Sequence, residues 1–361
     1  MLERRADDMK NMKLLFIFTG GTIGSTERLG VREADSGKPY AILRAYRERY
    51  GIDFEYDTAE PYCELSENLT GEHIKKLALA VKRGVAEGYD GIIVTHGTDT
   101  LQYSAAALGY ALGLDSIPVC IVSANAPIES EESNGLINLR AAIRFIELGA
   151  GRGVFCVYAN AQRDGFLEKS ASKIENVRGR VSIHRATRLM PPRPFSDESA
   201  SIFGQEYAWF DGKMQFFQNE KYSECSDELS PIDTSGLCER FDEALVLSPA
   251  VGMRYPSLDG VRWVLLNTYH SGTLDVKSAG ALEFYKSAKM LGVRIYALGA
   301  MNGLSYSSSA DFSALGIVPI RNISPPAAYM KLWLLKSAGR CPDDEIERSL
   351  GGDVFVEPDS R

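Results

Sequence analysis

Residues 91–112 read GIIVTHGTDTLQYSAAALGYAL: an apolar run, a Gly-Thr-Asp-Thr cluster, then a second apolar stretch. Residues 91–95 predict a buried strand and 101–112 a helix, with the polar cluster at the corner between them. The same order recurs on both sides. An apolar run at 14–18 closes on Thr19-Gly20-Gly21. Ile74, Leu77, Ala78, Val81 and Val85 fall at helical spacing within 71–87, and Gly88 is a natural stop. Strands are predicted at 119–123 and 154–158 around a helix at 136–148. Strands alternating with helices of this length form parallel βαβ units with helices on both faces.

The alternation fades between about residues 160 and 243, where Met190-Pro-Pro-Arg-Pro and the polar stretch 219–235 read as loops or linker. It resumes with strands at 244–247, 263–268 and 293–298 and helices at 279–291 and 327–337. The expected organisation is α/β: a larger N-terminal parallel-sheet domain over 12–222, a linker over 223–242, and a smaller C-terminal α/β domain over 243–361. The 361 residues fit two domains, at roughly 100–200 residues each.

Composition narrows the function. Hydrophobic residues make up 45% and charged residues 24%, ordinary for a globular chain. A formal charge of −8 repels phosphate backbones, so no nucleic-acid partner is expected. No apolar run approaches the roughly 20 residues of a membrane helix, so no membrane partner is expected either. Residues 1–11 read as a loose tail, because the apolar stretch behind them is too short for a signal peptide. Cys63, Cys120, Cys156, Cys225, Cys238 and Cys341 show no C-x-x-C spacing. Reduced thiols and a cytoplasmic location are expected.

In an open parallel sheet, ligands bind beyond the carboxyl ends of the strands. Three blocks fall there: Thr19-Gly-Gly-Thr22-Ile23, Thr95-His-Gly-Thr98-Asp99-Thr100 and Ser123-Ala-Asn-Ala-Pro127. The first two join glycines, which let backbone approach a ligand, to hydroxyls and a carboxylate. Neither has dinucleotide or P-loop spacing. A tight turn explains Gly20-Gly21 locally, and a helix N-cap explains Thr98-Asp99-Thr100 locally. Two such clusters at neighbouring strand ends are harder to dismiss.

LLFIFTGGTIG and IIVTHGTDTLQYSAAAL resemble the two signature blocks of the bacterial-type L-asparaginases, in the family's order and at a suitable separation. Leu65-Ser66-Glu67-Asn68-Leu69-Thr70 resembles the family's substrate-binding segment, and LLNTYHSGTL near the C-terminus is similar more weakly. The resemblance implies hydrolysis of asparagine to aspartate and ammonia through a threonine acyl-enzyme, with no cofactor. It implies Thr22 as nucleophile, Thr98 and Asp99 as the second catalytic threonine and its acidic neighbour, and Ser66 and Glu67, with Thr98 and Asp99, as the substrate-binding set. A threonine hydroxyl is a weak nucleophile and needs a base, which a desolvated lysine can supply. The family's lysine follows a glycine beyond the strand at 154–158. Lys169 is one residue closer to Gly165 than the usual spacing and Lys173 three too far, so Lys169 is chosen, since loops tolerate small length changes.

Three positions depart from the family pattern. Val31 falls where a flap tyrosine is usual, Asn134 replaces an aspartate, and Ser324-Pro-Pro-Ala replaces a segment that holds a glutamate. The expected substrate is a small molecule, asparagine with glutamine as a second amide, and the family implies a homodimer or homotetramer. An amidotransferase subunit of this type carries a long extension ahead of TGGTI, whereas 18 residues precede Thr19 here, which favours the free hydrolase. A binding protein that has lost turnover is the non-enzymatic alternative. His96 reads as structural, His73 as solvated on its helix, and His184 as part of a basic, solvated loop over 178–188. The four histidines have no metal-ligand spacing, so no metal is assigned.

Overall fold

The structure, a computed structural model, describes residues 12–20, 25–28, 31–34, 40–160, 180–193, 196, 198–225, 228–300 and 306–354. The tail read over 1–11 and the candidate residues Thr22, Lys169 and Lys173 lie outside the described residues.

The first series of elements is β1 (Lys13–Phe18), β2 (Ser25–Arg28), β3 (Val31–Ala34), α1 (Ala41–Tyr50), β4 (Glu55–Ala59), α2 (Gly71–Ala86), β5 (Gly91–Thr95) and α3 (Leu101–Leu112). It continues through β6 (Val119–Val122), α4 (Gly135–Glu147), β7 (Val154–Ala159), β8 (Val181–Arg185), β9 (Ala208–Phe210) and β10 (Phe216–Gln218). The second series is β11 (Ala244–Leu247), β12 (Trp263–Asn267), α5 (Ala279–Leu291), β13 (Arg294–Leu298), α6 (Ser307–Ala310), α7 (Phe312–Leu315), β14 (Ile317–Ile320), α8 (Pro325–Ser337) and α9 (Pro342–Glu345).

The large sheet has the order β10-β9-β8-β7-β6-β5-β1-β4. From β4 to β7 it is parallel, and β8, β9 and β10 extend it in antiparallel fashion. Side chains of β1 alternate between faces, as the two-residue strand period requires. Leu14, Phe16 and Phe18 pack with α1 and α4, through Ile42, Tyr46, Leu139 and Phe145. Leu15 and Ile17 pack with α2 and α3, through Leu77, Val81, Ala105 and Leu108. Each such buried side chain contributes about 1.5–3 kcal/mol, which fixes the strand register and thereby the corners above it.

The small sheet is parallel in the order β11-β12-β13-β14. One face is covered by α5, where Phe284 and Tyr285 meet Val264 and Ile295. The other face is covered by α8, which is also packed against α3 through Ala106 and Tyr110, so one helix lies between the small sheet and α3. α8 is correspondingly apolar nearly all round. Its buried exception, Lys331, is paired with Asp353 at 2.8 Å, and the same carboxylate accepts from Tyr110 at 3.0 Å.

The basic run is not the solvated loop its composition suggests. Residues 181–185 form β8, buried throughout, between β7 and β9. Arg185 donates to the Arg152 carbonyl at 2.8 Å, pairs with Glu224 and lies over the Phe155 ring. Arg188 is fully buried, with Nε donating to the Gly352 carbonyl at 2.6 Å. His184 is buried in β8 with Nδ1 2.8 Å from Ser201 Oγ. His73 is not freely solvated either: its Nδ1 accepts from the Thr70 N–H at 3.1 Å, completing the capping box of α2. Among the described residues no helix is long and apolar enough to cross a membrane, and no group of three metal-ligating side chains forms.

Candidate active site

The parallel strands run in the order β4-β1-β5-β6-β7, so the chain steps from β1 to β4 on one side and then crosses to β5 on the other. The reversal lies between β1 and β5, and ligands in such sheets bind outside the carboxyl ends at that point. Both glycine-and-hydroxyl corners are there. Thr19, the first residue beyond β1, is buried and donates its hydroxyl to the Thr95 carbonyl at the end of β5, 2.7 Å away. Gly20 forms a parallel bridge with Glu64 and has φ of +95°. A Cβ there would sit 2.5 Å from the Glu64 carbonyl oxygen, so only glycine allows the close approach.

The segment behind Glu64 is drawn in by this bridge. Glu64 Oε1 accepts from the Leu65 N–H at 2.9 Å and from Asn68 Nδ2 at 3.1 Å, and these bonds hold its carboxyl below the usual range. Ser66–Asn68 then form a single 3-10 turn in which Ser66 is buried and Glu67 is exposed. The Tyr62 phenol is buried beside Thr19, and desolvation pushes its pKa well up.

The β5 corner is held from below. His96 is fully buried, with Nδ1 2.8 Å from the Gly97 carbonyl and Nε2 2.9 Å from Ser104 Oγ. A carbonyl can only accept, so Nδ1 carries the proton and Nε2 accepts from the serine hydroxyl. Burial lowers the imidazole pKa, which keeps the ring neutral. Both nitrogens are engaged, so His96 is a brace for the loop, not a free base. Ser123 adds a 2.7 Å hydrogen bond to the His96 carbonyl from the β6 corner. Above this brace, Thr98 is half-buried in a cleft and Asp99 is exposed at the start of α3.

Thr100 does not cap its own helix. It has no side-chain cap bond, and its hydroxyl donates instead to the Ser66 carbonyl at 2.8 Å. The N-cap explanation of Thr98-Asp99-Thr100 is therefore incomplete at its third residue. The hydroxyl that should have closed the helix ties the β5 corner to the Ser66 turn.

Asn134, the departure from the family's aspartate, is fully employed. Its Oδ1 accepts from the Asn125 N–H at 3.0 Å, and its Nδ2 donates to the Ala159 carbonyl at 2.7 Å. Asn125 Oδ1 returns a bond from the Asn134 N–H at 3.0 Å. This pair spans the β6 and β7 corners, where Asn125 and Tyr158 line the cleft beside Thr98. The third departure is equally local: Ser324 caps α8, with Pro325 and Pro326 in its first turn.

Of the residues singled out in the sequence, Ser66, Glu67, Thr98 and Asp99 sit on two corners joined by the Thr100–Ser66 bond. Thr19, Thr100 and Asn125 lie inside the three strand-end blocks without a role of their own in the sequence reading, and Tyr62 lies outside them. Thr19 and Thr100 are legible inside TGGT and HGTDT, where every hydroxyl is a candidate. Tyr62 carries no local signal.

Residues 13–190 match the family model described as asparaginase, N-terminal. Among related proteins, a Glutamyl-tRNA(Gln) amidotransferase subunit from Saccharolobus solfataricus is 27% identical over 342 residues, which cover 90% of this chain and 71% of that protein. Its namesake from Methanothermobacter thermautotrophicus is 24% identical, covering 96% of this chain and 76% of its own. Among solved structures, the thermostable L-asparaginase from Thermococcus kodakarensis superposes with a TM-score of 0.71 at 21% identity, over 96% of this chain and 100% of that one. L-asparaginase I from Vibrio cholerae gives 0.69 at 18% identity, again over 96% and 100%. Both have the same α/β fold, with a large mostly parallel sheet and a smaller second one.

Proposed function

Residues 13–190 belong to the asparaginase family, and from that premise we propose that the chain hydrolyses the side-chain amide of L-asparagine to aspartate and ammonia. The observation that carries this reading is the joining of the Ser66 turn to the HGTDT corner by the Thr100 hydroxyl, directly at the sheet's reversal point. That bond supports reading the two segments that resemble a substrate-binding element and a catalytic element as one site.

In this reading Ser66 and its turn receive the substrate's α-carboxylate, while Glu67 and Asp99 receive the α-ammonium. Thr22 attacks the amide carbon. The C–N bond breaks as the threonine ester forms, and the departing nitrogen leaves as ammonia with a proton relayed through Thr98, Asp99 and Lys169. Water then cleaves the ester, regenerating the hydroxyl and releasing aspartate. The positive end of α3, at Asp99 and Thr100, favours the negative charge that develops on the carbonyl oxygen. The catalytic unit is taken as residues 12–222, with a linker over 223–242 and a smaller unit over 243–361. A cytoplasmic homodimer or homotetramer is the proposed working form.

The names of the related amidotransferase subunits favour a second reading, in which the amide is cleaved to deliver ammonia to a partner. Ammonia release by the purified chain, measured with L-asparagine and with L-glutamine, tests the choice. Turnover of asparagine by the chain alone supports the hydrolase; release from neither amide without a partner would favour the amidotransferase reading.

A further inference from the structure

The capping box of α2 is closed by a group that titrates. A serine or threonine cap is ordinarily met by glutamate or glutamine three residues on. Here that residue is His73, half-buried, with Nδ1 3.1 Å from the Thr70 nitrogen and 3.1 Å from the Thr70 hydroxyl. A backbone N–H can only donate, so Nδ1 is the unprotonated nitrogen. The box therefore closes only around a neutral imidazole. An imidazolium would set a second N–H against that of Thr70 and put positive charge at the positive end of α2.

The box is continuous with the Ser66 turn. Leu69, the residue before Thr70, donates its N–H to the Ser66 carbonyl at 3.3 Å. The same carbonyl receives the Thr100 hydroxyl at 2.8 Å. The path from the ring to the β5 corner thus runs through Thr70, Leu69, Ser66 and Thr100, and every step is a hydrogen bond or a peptide link. Glu67 lies inside the turn that this path holds.

Among the described residues, several titratable groups surround the ring. Tyr62 meets it edge to face, with centroids 5.0 Å apart. Glu64 lies close enough for its carboxylate to interact with the charge on His73. On α2 itself, Glu72 pairs with Lys75 at 3.9 Å, and Lys76 is exposed. The start of α2 is tied to the segment 238–240 by the Gly71 N–H, which donates to the Glu239 carbonyl at 3.0 Å. Arg240 in that segment pairs with Asp242 at 2.8 Å. Glu64 favours a proton on the ring, whereas the Thr70 N–H and the helix end oppose it.

We infer that His73 is a positioning residue for the substrate turn, holding Ser66 and Glu67 against the β5 corner only while its ring is neutral. The inference rests on the hydrolase reading, in which that turn receives the amino-acid end of the substrate. Histidines titrate between about pH 5 and 8. Protonation in that range opens the box and weakens substrate binding, while the chemistry at Thr98 is left in place.

The test measures KM and kcat for L-asparagine at pH 8 and pH 5.5 in wild type, His73→Gln and His73→Ala. Glutamine accepts from a cap N–H without titrating, so His73→Gln keeps the box at both values. Wild type should match it at pH 8 and show a KM roughly three- to tenfold higher at pH 5.5, the worth of one hydrogen bond. Their kcat values should stay close, and His73→Ala should show a raised KM at both. Solvent exchange of the Leu69 and Thr70 amides, read by NMR without substrate, should be faster in wild type than in His73→Gln at pH 5.5 and equal at pH 8. Equal KM in those two proteins at pH 5.5, a difference confined to kcat, or equal exchange at pH 5.5 overturns the inference. Turnover by none of the proteins counts against the hydrolase reading alone, and the exchange pattern still decides whether the ring holds the turn.

Discussion

The hydroxyl of Thr100, the residue before α3, donates to the carbonyl of Ser66, 34 positions earlier, across 2.8 Å. A threonine at a helix N-cap ordinarily bonds to its own first turn. Here the helix forgoes that bond, and two corners on different strands gain a fixed separation. Thr19 does the same between β1 and β5. Together the two threonines turn three separate loops into one surface.

Removing the Thr100 bond should loosen substrate binding more than chemistry. Such a hydrogen bond contributes about 0.5–1.5 kcal/mol, so Thr100→Val should raise KM for asparagine roughly three- to tenfold with a smaller change in kcat. Thr100→Ser keeps the donor and should restore most of the loss. Equal kinetics in wild type and Thr100→Val would show that the bond does not position the site.

Gly20 is the backbone counterpart of that tie. With φ of +95° and the Glu64 backbone 2.5 Å from where a Cβ would stand, Gly20→Ala must move the strand end or the Glu64 bridge. Strain of this kind costs about 1–3 kcal/mol. The variant should melt several degrees lower and lose most of its activity. A variant with unchanged melting temperature and full turnover contradicts the geometry.

Asn134 holds the β6 and β7 corners through a donor that aspartate lacks. In Asn134→Asp, an ionised carboxylate oxygen replaces the Nδ2 that now donates to the Ala159 carbonyl at 2.7 Å. The unpaired, repelling contact should cost about 1–3 kcal/mol at neutral pH. Protonating the carboxyl restores a donor, so the deficit should shrink as pH falls toward 4. Denaturant titrations of both proteins at pH 7 and pH 4.5 check this; a pH-independent deficit rules it out.

His184 gives a stability signature of its own. Burial, with a lesser contribution from Arg180, lowers its pKa to about 3. The unfolded chain, with a histidine pKa of about 6.5, takes up the proton first as pH falls. Stability is therefore full above about pH 6.5 and declines below it, at up to about 1.4 kcal/mol per pH unit for each such histidine. His96 acts in the same direction. Between pH 6.5 and 5 the wild type should lose stability more steeply than His184→Gln, and identical slopes would contradict the buried, neutral state.

The parallel layers were legible because each rests on local periodicity: the β5–α3 corner and the α5 helix lie where residues 91–112 and 279–291 put them. The basic run over 178–188 was misread because its partners are remote. Arg188 is satisfied by Gly352, 164 residues away, and Arg185 by Glu224, and no window of sequence holds both ends. The short strands β4, β9 and β10 escaped notice for the same reason, since their pairing strands and not their own pattern define them. In the site, the glycine-and-hydroxyl corners could be read directly, but not that Thr100 turns away from its helix, nor that Asn160 clamps the backbone of Ser199.

The central claim is that an amide is cleaved at the joined corners, and its most direct measurement is the stoichiometry of ammonia and aspartate released from L-asparagine by purified wild-type and Thr98→Val protein. Wild type should release the two products one for one, and Thr98→Val should fall by at least about a hundredfold, in keeping with the loss of a positioned proton-transfer group. No release by folded wild type, or release by Thr98→Val at the wild-type rate, would contradict the claim.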